Sequence, residues 1–328
     1  MNTREFRSPL ASRMEAFCQL RLGLGRKGFT DRRSLFYLDR FLQGELKDGD
    51  TITREVANRW FETIKHLSVG TRINHLSILR QFCRYLWHFD QRTYIVPRKL
   101  LPRRTRPAPY IYSRGEVRAL LRALRQLGPP GSLRPQTLAT LIGLLYAAGL
   151  RIGEALRLTL ADVDLNAGVL VIRRTKFFKS RYVPVSRSTA AALGKFLQYR
   201  NAAGLSTEPS APVFAGPSGR AYAPNSVSVP ILEAARKLGI RGPKGARGPR
   251  IHDFRHTFAV HRLAAWYRGK VELHAKLPLL STYLGHTTLL GTELYLHATA
   301  ELLEQVNQRF RRHCAIPFPR RKEVSYVS

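Results

Sequence analysis

The chain has 328 residues and a formal net charge of +33, because 55 lysines and arginines stand against 22 acidic residues. A charge excess of this size predicts a long polyanion as partner, most simply nucleic acid, and a hydrophobic content of 44% excludes a disordered basic protein. No apolar run approaches the ~20 residues of a membrane-spanning helix and no signal peptide opens the chain, so we expect no membrane partner. Three cysteines that are far apart and lack CxxC spacing indicate a reducing compartment, so we expect a cytoplasmic, nucleoid-associated protein.

The first 96 residues are predicted to form a helical domain. Apolar residues recur at helical spacing over 35–42 and 56–64, and a stronger helix is predicted from about Thr71 to His88. The arginines of that helix fall largely on its other faces, where they either are solvated or contact DNA phosphates. These candidate contacts are Arg72, Arg80 and Arg84.

Residues 97–112 are predicted to form a basic, proline-rich linker. The stretch from Pro97 to Pro109 holds four prolines and five basic residues, with no acidic residue. Proline fixes the backbone and removes an amide donor, which favours an extended segment. Its charge would let the linker lie along a phosphate backbone, and Arg104 is the candidate contact.

Residues 113–315 are predicted to form a second domain of helices and strands, followed by a flexible tail over 316–328. Ser113 and Glu116 have the spacing of a capping box, which predicts a helix start at this point. The further predicted elements are, in order, a helix over 137–148 that ends at Gly149, strands over 169–174 and 181–185 around a basic turn, and helices near 188, around 225 and onward to 310.

Two places in this domain offer cationic side chains to a phosphate. His252 and Arg255 are three residues apart, so on a helix they share one face and could clamp a tetrahedral oxyanion. Arg151 follows Gly149 at a corner between two helices, which suits bidentate phosphate binding. Arg151 could equally pair with Glu154, and Glu154 could instead position it.

The predicted hairpin and the C-terminal region offer a proton donor and a nucleophile. Lys176 lies at the hairpin tip, from which a mobile ammonium can protonate a leaving oxygen; Lys179 and Arg181 could do the same or contact DNA. Tyr295 follows His286 by nine residues. A phenol with a pKa of about 10 is a poor nucleophile until cations and a base surround it, so Tyr295 alone fits a core tyrosine better.

Taken together and in this order, these residues resemble the tyrosine recombinase, or phage integrase, family. The pattern is an arginine in GLRxxE, a hairpin lysine, HxxR, and then GH followed nine residues later by a tyrosine. The stretch TKFFKSRYVP is similar to the family's hairpin and singles out Lys176, and TRINHLSILRQFCRYL looks like the last helix of the family's core-binding domain. The resemblance implies a mainly α fold: a helical, SAM-like core-binding domain and a mixed α/β catalytic domain with a small antiparallel β-sheet, together forming a C-shaped DNA clamp.

The resemblance also implies a mechanism for site-specific DNA recombination. Tyr295 attacks the scissile phosphate to give a 3′-phosphotyrosyl bond, Arg151 and Arg255 brace the non-bridging oxygens, and Lys176 protonates the leaving 5′-oxygen. His252 helps to remove the tyrosine proton and His286 hydrogen-bonds the phosphate. The reaction needs no metal, ATP or other cofactor, and the chain has no GxxxxGK[ST] loop. The implied partner is double-stranded DNA, since family members work as tetramers on two paired DNA sites, some with partner recombinases.

Three rival functions remain open at this point. A type IB topoisomerase uses the same chemistry without joining two sites, and a non-catalytic DNA-binding protein would use only the basic surface. A metal-dependent transposase needs convergent carboxylates, for which Asp162 and Asp164 are candidates that fit a turn better. Recombination for a mobile element is the preferred interpretation.

An apolar stripe over 301–310 predicts a helix that packs either on a neighbouring subunit or on its own domain.

Overall fold

The computed structural model describes residues 5–25, 29–100, 108–129, 131–173, 180–246, 248–269 and 271–285. Proximity of Cα atoms divides the chain into two compact units, Met1–Pro107 and Ala108–Ser328. Within the described residues, no helix is both long and apolar enough to cross a membrane.

The first unit contains four α-helices among its described residues. They are α1 (Ala11–Gly23), α2 (Phe29–Glu45), α3 (Arg54–Thr63) and α4 (Val69–Trp87). The predicted apolar stripes lie in α2, α3 and α4, and their buried members Leu38, Trp60 and Phe82 share one core. Helix α4 begins two residues earlier than predicted because the Ser68 hydroxyl accepts a hydrogen bond from the Thr71 amide at 3.3 Å.

The second unit contains seven helices among its described residues. They are α5 (Arg114–Arg125), α6 (Arg134–Ala148), α7 (Ile152–Ala155), α8 (Arg187–Ala202), α9 (Pro224–Lys237), α10 (Asp253–Arg268) and α11 (Leu273–Leu284). The predicted capping box is confirmed at α5: the Ser113 amide donates to Glu116 Oε2 at 2.7 Å, and the Glu116 amide donates to Ser113 Oγ at 3.1 Å.

Within the part of the chain that the structure describes, three short antiparallel strands accompany these helices. They are β1 (Val163–Asp164), β2 (Val169–Ile172) and β3 (Arg181–Pro184), paired in the order β1-β2-β3. Leu170 lies opposite Val183 and Ile172 opposite Arg181. The prediction of a mainly helical chain with a small antiparallel sheet is confirmed, but β1 was missed because two residues are too few to show an alternating pattern.

Gly149 determines how closely α6, α10 and α11 approach one another. It ends α6 in the left-handed conformation with φ of 61°, and a Cβ atom at this position would lie 2.5 Å from Phe258 Cδ1 and 2.9 Å from Leu284 Cδ2. Both distances are shorter than any normal contact between carbon atoms. A side chain here would therefore push α10 and α11 away from the end of α6.

Replacing Gly149 with alanine should destabilise the second unit more than a change of backbone preference alone explains. Left-handed strain costs about 1–2 kcal/mol, and the clash with Phe258 and Leu284 should add about 1–3 kcal/mol. The matched control is Gly204→Ala, because Gly204 also has a positive φ of 73° but has no atom within 4 Å of its would-be Cβ. Chemical denaturation measures both losses, and equal losses would contradict the packing argument.

Candidate active site

The start of α7 presents Arg151 to the surface while a buried carboxylate anchors it. The Arg151 amide donates to Glu154 Oε2 at 3.0 Å, and Arg151 Nη1 donates to Glu154 Oε1 at 2.8 Å. The exposed fraction is 37% for the Arg151 side chain and 3% for the Glu154 side chain. Glu154 therefore does pair with Arg151, and the pairing leaves part of the guanidinium accessible to a ligand.

The same carboxylate holds a second guanidinium, which comes from β3. Arg181 Nη1 lies 3.2 Å from Glu154 Oε1 and Arg181 Nη2 lies 2.8 Å from Glu154 Oε2, which is a bidentate pairing. Arg181 Nε donates to the Tyr283 carbonyl at 2.9 Å, near the end of α11. Only 11% of the Arg181 side chain is exposed, so this residue joins three elements inside the protein.

Glu154 stays ionised because the two arginines outweigh its burial. Burial alone would raise the pKa of this carboxyl, but the hydrogen bonds and charge of Arg181, with the contacts from Arg151, lower the pKa to about 2. One negative charge between two guanidiniums leaves one positive charge in excess. Such a charge in a largely desolvated setting is suited to bind an anion such as a phosphate.

Arg255 joins the ends of two helices. It is the third residue of α10 and is 1% exposed. Its Nη1 donates to the Gly149 carbonyl at 2.9 Å, and its Nη2 donates to the Leu284 carbonyl at 2.5 Å. These carbonyls lie at the C-terminal ends of α6 and α11, where the helix dipoles place partial negative charge and a cation is stabilising.

Hydrogen bonds and backbone segments connect seven residues of the site into a closed ring, which we call the polar ring. Its members, in order, are Gly149, Arg151, Glu154, Arg181, Tyr283, Leu284 and Arg255. The peptide backbone supplies two of the links, from Gly149 to Arg151 and from Tyr283 to Leu284. Every other link is a hydrogen bond of a guanidinium.

His252 precedes α10 and lies within the electrostatic reach of both predicted phosphate-binding arginines. Its side chain reaches the surface, yet the surrounding protein withdraws part of the ring from water, which lowers its pKa; Arg255 and Arg151 lower the pKa further. The imidazole is therefore neutral at neutral pH and able to accept a proton. The His256 ring meets it edge-on at 4.9 Å between centroids.

The base of α10 is held in place by buried contacts. Asp253, which is 1% exposed, accepts hydrogen bonds from the Arg250 amide at 2.8 Å and from Arg250 Nη2 at 2.7 Å. Phe254 stacks on Tyr112 with 4.2 Å between ring centroids, and the Tyr112 amide donates to Thr257 Oγ1 at 3.0 Å. These contacts fix the helix turn that carries His252 and Arg255.

The structure brings three of the six predicted catalytic residues into one neighbourhood: Arg151, His252 and Arg255. The other three, Lys176, His286 and Tyr295, lie outside the described residues, as do the predicted DNA contacts Arg104 and Lys179 and the predicted helix over 301–310. On α4, Arg72 and Arg80 are half-buried and Arg84 is exposed, and their contact with DNA stays a prediction.

Two acidic residues that were candidates for metal binding serve turns instead. Asp162 Oδ2 accepts the Thr159 amide at 3.0 Å, and Asp162 Oδ1 accepts Arg173 Nε at 2.5 Å. Asp164 Oδ1 accepts the Ala167 amide at 2.8 Å. Both carboxylates therefore stabilise the chain around β1, as the preferred interpretation of the sequence has it.

A ridge of arginines on α5 was missed by sequence reasoning, which considered only the buried face of this helix. Its members are exposed at steps of three and four residues: Arg114, Arg118, Arg122 and Arg125. Like charges at this spacing destabilise a helix, so a bound polyanion would relieve their repulsion. The recurrence of arginine at every third or fourth residue of α5 was the sequence signal that could have predicted this ridge.

Comparisons of this sequence with a family model and with individual proteins all point to the same family. A sequence model of the phage integrase family matches residues 113–301. The Sinorhizobium fredii protein y4rB, an integrase/recombinase by name, is 37% identical over 303 residues, which cover 91% of this chain and 96% of that protein. Tyrosine recombinase XerD of Caulobacter vibrioides is 31% identical over 270 residues, which cover 80% of this chain and 82% of that protein.

A solved structure shares the fold. The Tn1549 transposon integrase in complex with transposon right-end DNA matches with a TM-score of 0.67, over 94% of this chain and 100% of that one. The two sequences are 16% identical, so the match concerns the fold.

Replacing Glu154 with glutamine should cost stability in a pH-dependent way. The pKa of Glu154 is about 2 in the folded protein against an ordinary value of 4.5, so its ionised form stabilises the fold by about 3 kcal/mol at neutral pH. Because this pKa is lowered on folding, the contribution is present above pH ~4.5 and is lost as the pH falls toward ~2.

Denaturation of the wild type and of Glu154→Gln at pH 7 and at pH 3 measures this contribution. The difference in unfolding free energy should shrink at pH 3, and a difference that does not change with pH would contradict the assignment. Glu62→Gln is the control, because Glu62 pairs with Lys65 at the surface, where 64% of its side chain is exposed, and should change stability by less than ~1 kcal/mol.

Proposed function

Since the chain belongs to the phage integrase family, it is a tyrosine-type site-specific DNA recombinase, and we propose that Tyr295 is its nucleophile. In the proposed step, the Tyr295 oxygen forms a bond to the scissile phosphorus while the bond from phosphorus to the 5′-oxygen breaks. The phenol proton passes to His252, and Lys176 gives a proton to the leaving 5′-oxygen. His286 hydrogen-bonds the phosphate.

The second half of the reaction reverses these bonds with a different strand. The 5′-hydroxyl of the second duplex attacks the phosphotyrosyl bond, and Tyr295 leaves with a proton. Because one ester replaces another in each step, the number of phosphoester bonds does not change. The exchange therefore needs no energy from ATP.

The observation that carries this proposal is the convergence of Arg151, His252 and Arg255. Arg151 is the residue best placed to contact a phosphate, because its guanidinium is partly exposed beside a buried carboxylate. His252 is the neutral base that the first step needs, since burial and both arginines lower its pKa. Arg255 supports this arrangement by binding the Gly149 and Leu284 carbonyls. It also adds positive charge where the pentavalent phosphorus develops negative charge.

Two further features of the proposal concern the assembly and its biological setting. We infer that four copies of the chain pair two DNA sites, with or without partner recombinases, and that the sites belong to a mobile element. The shared fold of a transposon integrase that is bound to transposon DNA supports this setting. Action on such DNA would place the protein in the cytoplasm, at the nucleoid.

Replacing Tyr295 with phenylalanine should abolish covalent attachment to DNA. On a nicked suicide substrate the wild type should form a protein–DNA adduct that survives denaturation, with or without EDTA, whereas Tyr295→Phe should bind the same DNA without forming one. Gel electrophoresis after denaturation measures the adduct. An adduct that persists in Tyr295→Phe would place the nucleophile elsewhere, and plasmid relaxation without any joining of two sites would indicate a topoisomerase.

Deleting the residues after 298 should separate DNA binding from assembly. If the predicted helix over 301–310 packs on a neighbouring subunit, the shortened protein should bind a single half-site as tightly as the full chain and should form fewer paired complexes. Gel mobility shift with one and two half-sites measures both properties. Unchanged assembly would mean that this helix packs on its own domain.

A further inference from the structure

Arg181 occupies the point of the polar ring where three elements meet. Its guanidinium pairs with Glu154 next to α7, binds the Tyr283 carbonyl near the end of α11, and belongs itself to β3. Gly285 lies directly on it: a Cβ atom at Gly285 would be 2.9 Å from Arg181 Nη1 and 3.1 Å from Arg181 Cζ. The left-handed glycine, with φ of 68°, thus leaves the space that the guanidinium occupies.

The pairing between Arg181 and Glu154 determines which way the carboxylate faces. Arg181 engages both carboxylate oxygens, so the carboxylate plane aligns with the plane of this guanidinium. Arg151 then binds Oε1 through Nη1 alone. A carboxylate without Arg181 could rotate to pair with Arg151 through both oxygens, which would draw the Arg151 guanidinium inward, away from its partly exposed position.

The same side chain also ties together two regions that the sequence places next to predicted catalytic residues. Strand β3 follows Lys176 in the chain, and α11 precedes His286. The Leu284 carbonyl, which follows the Arg181-bound Tyr283, accepts the hydrogen bond from Arg255. Arg181 and Arg255 therefore hold adjacent carbonyls at the end of one helix.

We propose that Arg181 is a positioning residue for strand cleavage, which acts by orienting Glu154 so that Arg151 faces the scissile phosphate. The proposal rests on the recombinase function proposed above, and it replaces the expectation that Arg181 contacts DNA or protonates the leaving group. A guanidinium that is 11% exposed and binds Glu154 and Tyr283 has the partners of a positioning residue.

The role of Arg181 has a consequence for pH dependence. Hydrogen bonding and charge from Arg181 are the largest of the influences that lower the Glu154 pKa, while burial raises it. Without Arg181 the pKa should rise, and Glu154 should take up a proton as the pH falls through this raised value. A protonated Glu154 no longer holds Arg151 by charge, so cleavage by an Arg181 variant should lose more of its rate at lower pH than cleavage by the wild type.

The test compares single-turnover adduct formation and half-site affinity for Arg181→Lys, Arg181→Gln and the wild type. Lysine keeps the positive charge but lacks the planar guanidinium that binds both carboxylate oxygens at once. Arg181→Lys should therefore cleave about 10²-fold more slowly than the wild type, while its affinity for a half-site should stay within about threefold of the wild-type affinity. Arg173→Lys is the matched control, since Arg173 also lies in the hairpin and pairs with a buried carboxylate, that of Asp162, but lies outside the polar ring. It should cleave at the wild-type rate.

A double variant separates positioning from an independent contribution. If Arg181 acts through Arg151, Arg181→Lys combined with Arg151→Ala should cleave no more slowly than Arg151→Ala alone, whereas independent effects would multiply. The ratio of the Arg181→Gln rate to the wild-type rate, measured on folded protein, should fall as the pH decreases from neutral toward the ordinary carboxyl pKa of 4.5, where the wild-type Glu154 is still ionised.

Each other result overturns the inference. The positioning role would be wrong if Arg181→Lys cleaved within twofold of the wild-type rate, or if the two effects multiplied in the double variant. It would also be wrong if the rate ratio did not depend on pH, or if half-site affinity fell as steeply as the rate. All four leave Tyr295 as nucleophile untouched, because the loss of the adduct in Tyr295→Phe tests that assignment separately.

Discussion

The buried carboxylate of Glu154 is the constraint on which the rest of the site depends. A carboxylate that is 3% exposed must be paired, and its partners here are the two guanidiniums of Arg151 and Arg181. Removing one partner of a buried ion pair leaves the charge of the other partner uncompensated. The positions of Arg151 and Arg181 therefore both depend on Glu154. Through Arg181 the constraint reaches the end of α11, and through Arg255 it returns to Gly149 at the end of α6.

This arrangement suits catalysis on a phosphodiester because it fixes positive charge before the substrate arrives. Preorganised cations stabilise a transition state without reorganising during the reaction. Burial, together with the charge of Arg255 and Arg151, lowers the pKa of His252 and keeps it neutral, as a base must be in order to accept the proton of a phenol. In the proposed mechanism, this one set of contacts serves both the electrostatic stabilisation of the phosphate and the base, which agrees with the recombination chemistry of the family.

Local features of the fold could be predicted from the sequence, and distant contacts could not. The capping box of Ser113 and Glu116, the glycine end of α6 and the β2–β3 pairing depend on a few neighbouring residues, so their patterns were visible. The tie from Arg181 to Tyr283 spans 102 residues and that from Arg255 to Gly149 spans 106, and neither leaves a periodic pattern. The residue types at Arg151, His252 and Arg255 pointed to phosphate chemistry, and the sequence also offered Glu154 as a partner of Arg151. The contact of Arg181 with Glu154 and the carbonyl partners of Arg255 came only from the structure.

The most direct test of this account is a structure of Tyr295→Phe bound to an uncleaved duplex that contains the recombination site. The measurement is the distance from the guanidinium nitrogens of Arg151 and Arg255 to the non-bridging oxygens of the scissile phosphate. We predict at least one contact of about 2.7–3.0 Å from Arg151, with Glu154 still bound to Arg151 and Arg181, and with Arg255 still bound to the Gly149 and Leu284 carbonyls. A scissile phosphate held by other residues, with the two guanidiniums more than about 5 Å away, would contradict the account.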